Sequence, residues 1–321
     1  MTTHIGPACA LPSESSSRPP NPDDQRTDTA TSPSSDRDPP PLVLDRIGYE
    51  AADLAAIRQA IHAPDGLVLV VGPSGSGRRT ALYSMLEQVD PVRRSIQTIE
   101  SSVLRPVPGW LQLRVPDGRR RDGCRWERIF ARSLRSGAHA ILVEKVATPG
   151  MSQLVVRAAQ AGHLVLSSMA LSRACSAIAE LQRLRVTTAQ LIDALSLVIG
   201  QRLIGRLCPQ CSTPDNREPV RRALAVALNT WLAGHAIQAR RAAPAGCARC
   251  GHTGYRGRVL AYELIDLDMR ARGLIASGVD IVELEPGLLA EGRSIWDRGL
   301  KQVADGTTSL DALQAAVRQP H

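Results

Sequence analysis

The stretch Val68-Leu69-Val70-Val71-Gly72-Pro73-Ser74-Gly75-Ser76-Gly77-Arg78-Arg79-Thr80 decides how this chain folds. An apolar, mostly β-branched run enters a glycine-rich turn. Thr80-Ala81-Leu82-Tyr83-Ser84-Met85-Leu86 then carries apolar residues at helical spacing. Strand, tight loop and helix in that order form a phosphate cradle. In a G-x-x-x-x-G-K-[ST] loop, backbone N–H groups hold phosphates, the lysine reaches the terminal ones and the hydroxyl ligates Mg²⁺. Here Arg78 stands at the lysine and Arg79 at the hydroxyl. Arginine keeps the charge, but its planar fork does not replace a compact ammonium conservatively, and a guanidinium has no acceptor for a metal. Only the next hydroxyl, Thr80, is left to approach the ion. The candidate nucleotide-binding residues are Gly72, Pro73, Ser74, Gly75, Ser76, Gly77, Arg78, Arg79 and Thr80.

A length of 321 residues allows roughly two domains. An apolar content of 43% supplies a substantial core, and an aromatic content of 3% leaves that core to Leu, Val, Ile and Ala. Of the 39 basic residues only Lys145 and Lys301 are lysine, so Arg78 could reflect a coding bias, although a chain that keeps two lysines could have kept a third. The net charge of +8 and pI near 9.5 raise nucleic acid or an anionic surface as partners. The charge is scattered in pairs and triplets, Arg93-Arg94, Arg119-Arg120-Arg121, Arg221-Arg222 and Arg240-Arg241, with little aromatic interleaving. That pattern reads more simply as solvated faces than as a nucleic-acid site. No stretch approaches the roughly 18 apolar residues of a membrane span, and the first residues lack a signal peptide's basic and apolar regions. The expectation is a cytoplasmic protein, with peripheral attachment to an inner membrane left open.

Residues 1–41 are rich in Pro, Ser, Asp and Thr, and such a segment cannot bury enough surface to offset its ordering entropy. A disordered tail is expected there, with the folded body starting near Leu42. A short helix is expected between Leu44 and Ile61, and buried strands at Ser95–Ile99, Ala140–Val143 and Leu164–Ser168 with helices between them. Strands alternating with helices after a phosphate loop imply an α/β fold with a mainly parallel sheet covered on both faces.

Cys208-Pro209-Gln210-Cys211 is followed 35 residues later by Cys247-Ala248-Arg249-Cys250. Two C-x-x-C knuckles offer four thiolates with the local spacing of a closed, tetrahedral structural zinc site. In a cytosolic chain that pattern fits a metal better than disulfides. Cys9, Cys124 and Cys175 have no such partners and read as ordinary thiols.

Taken together, these pieces resemble the C-terminal ATPase domain of the type II secretion and type IV pilus assembly ATPases over about residues 42–318. The resemblance rests on Gly72–Gly77, on Gly162-His163-Leu164-Val165-Leu166-Ser167, and on Gln201-Arg202-Leu203 leading to Arg206-Leu207-Cys208-Pro209-Gln210-Cys211. It rests most firmly on Gly246-Cys247-Ala248-Arg249-Cys250-Gly251-His252-Thr253-Gly254-Tyr255-Arg256-Gly257-Arg258 and the following Tyr262-Glu263-Leu264. It implies a RecA-like P-loop core at 42–206, a tetracysteine zinc module at 207–258 and a helical C-terminal region at 259–321. It also implies a hexameric ring, ATP and Mg²⁺ as cofactors, and inner-membrane platform proteins as partners.

The departures gather at the chemistry. The family's T-I-E-D-P-[VI]-E box is matched by Thr98-Ile99-Glu100-Ser101-Ser102-Val103-Leu104, one carboxylate of three. Its V-G-E-I-R-D-P stretch is matched by Val143-Glu144-Lys145-Val146-Ala147-Thr148-Pro149, with Lys145 at the acid unless a one-residue shift offers Glu144. Its S-T-L-H-T-N-D box becomes Ser167-Ser168-Met169-Ala170-Leu171-Ser172-Arg173, without imidazole or acid. Glu100 and Glu144 are the candidate catalytic carboxylates, set against a reading as solvated or capping groups. The family's N-terminal domain, which brings arginines to the nucleotide site, has no counterpart in the sequence read, and Arg132 and Arg135 are candidates for contacts with a neighbouring subunit. Phosphoryl transfer depends on positioned metal and fixed cations, so losing metal ligands costs the reaction directly. The expected function is a non-hydrolysing interaction or regulatory subunit that binds nucleotide weakly or not at all, in a homo-oligomer or a mixed ring with a functional paralogue. The alternatives are an active motor using Arg78 and Thr80, and a nucleic-acid-binding protein.

Overall fold

The computed structural model describes residues 42–115, 125–278 and 281–317. The tail expected at 1–41 lies outside the described residues, as do Cys9 and Cys124. The sequence Gly-Leu-Val-Leu-Val-Val has no polar face, and it forms β1 (Gly66–Val71), every residue of which is buried. A strand without a wet side belongs in the middle of a parallel sheet covered by helices on both faces. β1 is preceded by α1 (Ala51–His62) and followed by α2 (Arg78–Leu86). Next come β2 (Ile96–Glu100), β3 (Trp110–Arg114), α3 (Arg125–Arg135), β4 (Ala140–Val143), α4 (Pro149–Gln160) and β5 (Leu164–Met169). The three expected buried strands are therefore β2, β4 and β5, and the expected helix before β1 is α1 preceded by a short turn at Leu44–Arg46. The edge strand β3 was not anticipated. Its residues Trp110-Leu111-Gln112-Leu113-Arg114 are only partly buried and give a short, weak pattern.

After α5 (Cys175–Arg183) and α6 (Thr188–Ala194) the chain enters the long β6 (Leu195–Leu207). Two residue pairs, β7 (Thr213–Pro214) and β8 (Arg240–Arg241), flank α7 (Glu218–Leu228). β9 (Tyr255–Asp266) returns to the sheet, and α8 (Met269–Ala276), α9 (Ile281–Leu288), α10 (Ile295–Ala304) and α11 (Leu310–Ala316) close the fold. The seven-stranded sheet has the order β3-β2-β4-β5-β1-β6-β9. Its strands run parallel except β9, which is antiparallel to β6. The residue expected to begin a helical region, Val259, sits inside β9, so the tetracysteine segment is stitched into the main sheet on both sides.

Alternate residues of the strands feed different layers. Leu67, Leu69, Val71, Ile141, Val143 and Val165 pack with α3, α4, α5 and α6 on one face. Val68, Val70, Leu142, Leu164 and Leu166 pack with α1 and α2 on the other. A third cluster, with Ile204, Val220, Leu224, Trp296, Leu300 and Leu313, joins the far end of β6 to α7, α10 and α11. The register sets Val71 opposite Met169, Val143 opposite Ser167 and Ile99 opposite Val143. The carboxyl ends of β1, β2, β4 and β5 thus meet along one edge, where open α/β sheets place ligands.

Candidate functional site

The loop between β1 and α2 wraps this edge. Gly75 and Gly77 take φ of +78° and +87°, which a Cβ would disfavour. Gly72 is closely packed, since a Cβ there would lie 2.2 Å from Ser76 Oγ and 2.7 Å from the Gln201 carbonyl oxygen. β6 clamps the loop from below, with Gln201 Nε2 donating to the Ser76 carbonyl at 2.8 Å and Tyr49 Oη donating to Gln201 Oε1 at 3.0 Å. Ser74, Gly75, Ser76, Gly77, Arg78, Arg79 and Thr80 line a cleft of about 470 Å³, whose opposite wall is Glu144 to Ala147 and Ser168 to Ala170. Sequence-neighbouring Gly72 and Pro73 support the turn without lining it.

The arginines have distinct surroundings. Arg78 opens α2 at the cleft. Burial lowers the pKa of its guanidinium, and the nearby Glu144 charge opposes that shift. Arg79 turns away toward β2, and its Nη2 donates to Glu100 Oε2 at 3.0 Å and to the Ser102 carbonyl. Glu100 is fully buried, and its Oε1 accepts from Tyr83 Oη at 2.6 Å and Thr98 Oγ1 at 2.8 Å. The expected solvated or capping carboxylate is here a buried ion-paired one. Glu144 does cap, because its carboxylate accepts from the Ser101 backbone N–H and, at 3.0 Å, from Ser101 Oγ. Lys145 lies 5.5 Å from the Trp126 ring centroid, a cation–π distance. Arg132 and Arg135 are exposed on the last turn of α3.

A Mg²⁺ ion demands oxygen ligands at close octahedral distances. At the loop position that would supply the first of these, a guanidinium presents N–H donors, and both surviving carboxylates are engaged by protein donors. Thr80 and Glu144 both line the cleft, the carboxylate of Glu144 being engaged by Ser101. The arrangement suits an anion and does not suit a divalent cation. Missed in the sequence was Glu263, buried on β9, which accepts from the Ala174 N–H at 2.5 Å and so anchors the loop after β5. Burial raises its carboxyl pKa, opposed by that N–H. The Tyr262-Glu263-Leu264 pattern was the available signal.

The second constellation is the tetracysteine cluster. The four Sγ atoms of Cys208, Cys211, Cys247 and Cys250 lie within 4.8 Å of one another. Separations of 3.8 Å for Cys208–Cys247 and Cys247–Cys250, and 3.9 Å for Cys211–Cys250, fit the edge of a sulfur tetrahedron. A centre-to-sulfur distance of about 2.3 Å gives such an edge of about 3.8 Å. N–H donation from Cys247 chiefly, and also from Gly254, draws the Cys250 thiol down to about 6, while burial and the neighbouring thiols push Cys211 up to about 12. The cluster could hold a metal ion.

A mainly parallel sheet with a glycine loop clamped at the carboxyl end of its central strand defines a P-loop nucleotide-binding fold. The family described as "Type II/IV secretion system protein" matches residues 35–315, and the chain belongs to it. Relatives include the "Protein transport protein HofB homolog" of Escherichia coli strain K12, 31% identical over 281 residues, which cover 87% of this chain and 58% of that protein. The "Type II secretion system protein E" of Klebsiella pneumoniae is 33% identical over 87% of this chain and 54% of its own. The "Type IV pilus assembly ATPase PilB" of Myxococcus xanthus is 29% identical over 84% and 47%. The chain thus spans about half the length of these relatives. Among solved structures, the Legionella pneumophila ATPase DotB superposes with a TM-score of 0.59 at 15% identity, covering 86% of this chain and 65% of that one. The pilus retraction motor PilT with bound ADP gives 0.57 at 18%, covering 87% and 67%. At those identities the likeness is one of fold. Among the described residues no helix is long and apolar enough to cross a membrane.

Proposed function

We propose that this chain is a non-hydrolysing member of its family, an interaction or regulatory subunit that keeps the ring-forming fold and has given up ATP hydrolysis. The observation that carries the reading is the Arg79–Glu100 pair at 3.0 Å, which commits both the metal-ligand position and the surviving acid of β2 to each other. Hydrolysis needs a polarised water and a metal held by oxygen ligands; Arg79, Lys145 and Ala170 replace the hydroxyl, acid and imidazole of the family pattern, and Arg78 replaces the lysine that reaches the phosphates. We further propose that Cys208, Cys211, Cys247 and Cys250 hold a structural Zn²⁺, and that residues 42–206, 207–258 and 259–321 act as core, zinc module and C-terminal region. The subunit would mix into the ring of a functional paralogue at the inner-membrane secretion or pilus platform, an idea that fails if the genome encodes no such paralogue.

The test is steady-state phosphate release with Mg-ATP, run beside Arg78→Ala to exclude contaminating activity. Equal, background-level release from both proteins is expected. Release that exceeds background and disappears in the variant would overturn the reading and make Arg78 part of a working motor.

A further inference from the structure

The cleft under the loop sets Arg78 and Lys145, with Glu144 among them and Arg79 paired to Glu100, where a metal-dependent site would collect oxygen ligands. Arg79 is fixed from two sides, by Glu100 Oε2 at 3.0 Å and by Ser102, whose Oγ lies 3.4 Å from Nη1. Glu100, fully buried, cannot turn toward an ion without leaving Tyr83 and Thr98. Arg78 stands beside Arg79 at the start of α2, and Lys145 lines the facing wall. The cradle itself is kept: Gly75 and Gly77 hold positive φ, and α2 presents its N-terminal N–H groups. Ser76, 3% exposed, turns its hydroxyl inward against Gly72, so the loop holds its shape by packing beneath the cleft.

We infer that this loop binds a polyphosphate in its metal-free form, the fixed Arg79–Glu100 pair standing where a divalent ion would and Arg78 supplying the charge that faces the phosphates. The inference rests on the reading that the site does not hydrolyse its ligand, and it deepens that reading by naming what the site takes instead. The recognised chemistry is the phosphate chain of a nucleoside triphosphate or of inorganic polyphosphate. An ion that chelates this chain competes with the arginines for the same oxygens. Mg²⁺ should therefore weaken binding.

The experiment is titration of the full chain with ATP and with inorganic tripolyphosphate, by calorimetry, once in EDTA and once in excess Mg²⁺. Binding in EDTA is expected, with apparent affinity falling at least about tenfold when excess ion removes the free chain by mass action. ATP binding tighter than tripolyphosphate names a nucleotide as the ligand, and equal binding names inorganic polyphosphate. Both outcomes support the site. Arg79→Lys keeps a charge but loses the fork, and Arg79→Thr restores the hydroxyl. Each should lower the affinity in EDTA severalfold while circular dichroism reports an unchanged fold. Should Arg79→Thr fail to fold, Arg78→Ala gives the same readout without touching Glu100. No binding in either buffer, equal affinity in both, or binding only with Mg²⁺ and lost in Thr80→Val would each overturn the inference. Phosphate release with EDTA-resistant binding intact would instead remove the non-hydrolysing reading and leave the metal-free site standing.

Discussion

Replacing Asp53 with Asn should destabilise the fold more than any surface change, because it strands a buried guanidinium. Asp53 on α1 and Arg298 on α10 have side chains only 7% and 5% exposed. Asp53 Oδ2 accepts from Arg298 Nη2 and from Tyr262 Oη, each at 2.5 Å, and Oδ1 accepts from Arg293 Nη1 at 2.8 Å. The Arg298 guanidinium carbon also lies 3.7 Å from the Tyr262 ring centroid. With Asn at 53 the nearest remaining carboxylate is Glu50, at 3.8 Å and half exposed. Breaking one side of a buried pair costs about 3–5 kcal/mol, and the amide oxygen retains one acceptor, so a loss of about 3 kcal/mol is expected. For a folded body of this size that corresponds to a fall of roughly 6–12 °C in Tm. Removing both charges in Asp53→Asn with Arg298→Met should recover part of the loss, giving a coupling of about 1–3 kcal/mol in a double-mutant cycle followed by urea denaturation. The pH dependence has a definite sign. Burial opposes it, but hydrogen bonds from Tyr262 and Arg298 win and hold the Asp53 carboxyl below its ordinary range. A depressed folded pKa means the contribution is complete above the unfolded value of about 3.9 and is lost as pH falls below it through the folded value. The gap between wild type and Asp53→Asn should therefore be constant near neutrality and close in acid. A single-variant cost below about 1 kcal/mol, or strict additivity in the cycle, would refute the reasoning.

Two further outcomes are expected. Cys247→Ser should lower zinc content, read by a chromophoric chelator, together with thermal stability, since site and fold are coupled; unchanged stoichiometry would count against the metal. Gly72→Ala places a Cβ 2.2 Å from Ser76 Oγ and 2.7 Å from the backbone oxygen of Gln201. That should cost about 1–3 kcal/mol by overpacking, and thermal denaturation with an unshifted midpoint would show that the loop yields freely.

The central strand and its loop were legible because local signals agree there: β-branched residues, glycines at strained turns and a helical repeat all lie within one short window. Both knuckles were legible because cysteine spacing carries the geometry. The edge strand β3 escaped because its half-buried residues alternate weakly. β9 escaped because its partner, β6, lies some fifty residues away and the pairing is set by tertiary contact. The Arg79–Glu100 pair was beyond reach for the same reason. Arg79 could be named as a departure and Glu100 as the surviving acid, but nothing in the sequence says that the two touch.

That contact bears on whether the altered motifs are drift. Independent decay would be expected to leave mismatches in the interior, such as a buried Glu100 facing an apolar or small residue, and an uncompensated buried charge is costly enough to be removed or to unfold the chain. Instead the substitution at the metal-ligand position supplies the cation that Glu100 needs, and Tyr83 and Thr98 complete its hydrogen bonds. Glu144, displaced from the expected acid by one residue, caps the loop at Ser101, a position where the family pattern has an acid that would have repelled it. Contacts that satisfy one another in this way are what the proposed non-hydrolysing site requires, since they hold the altered residues in place without a metal.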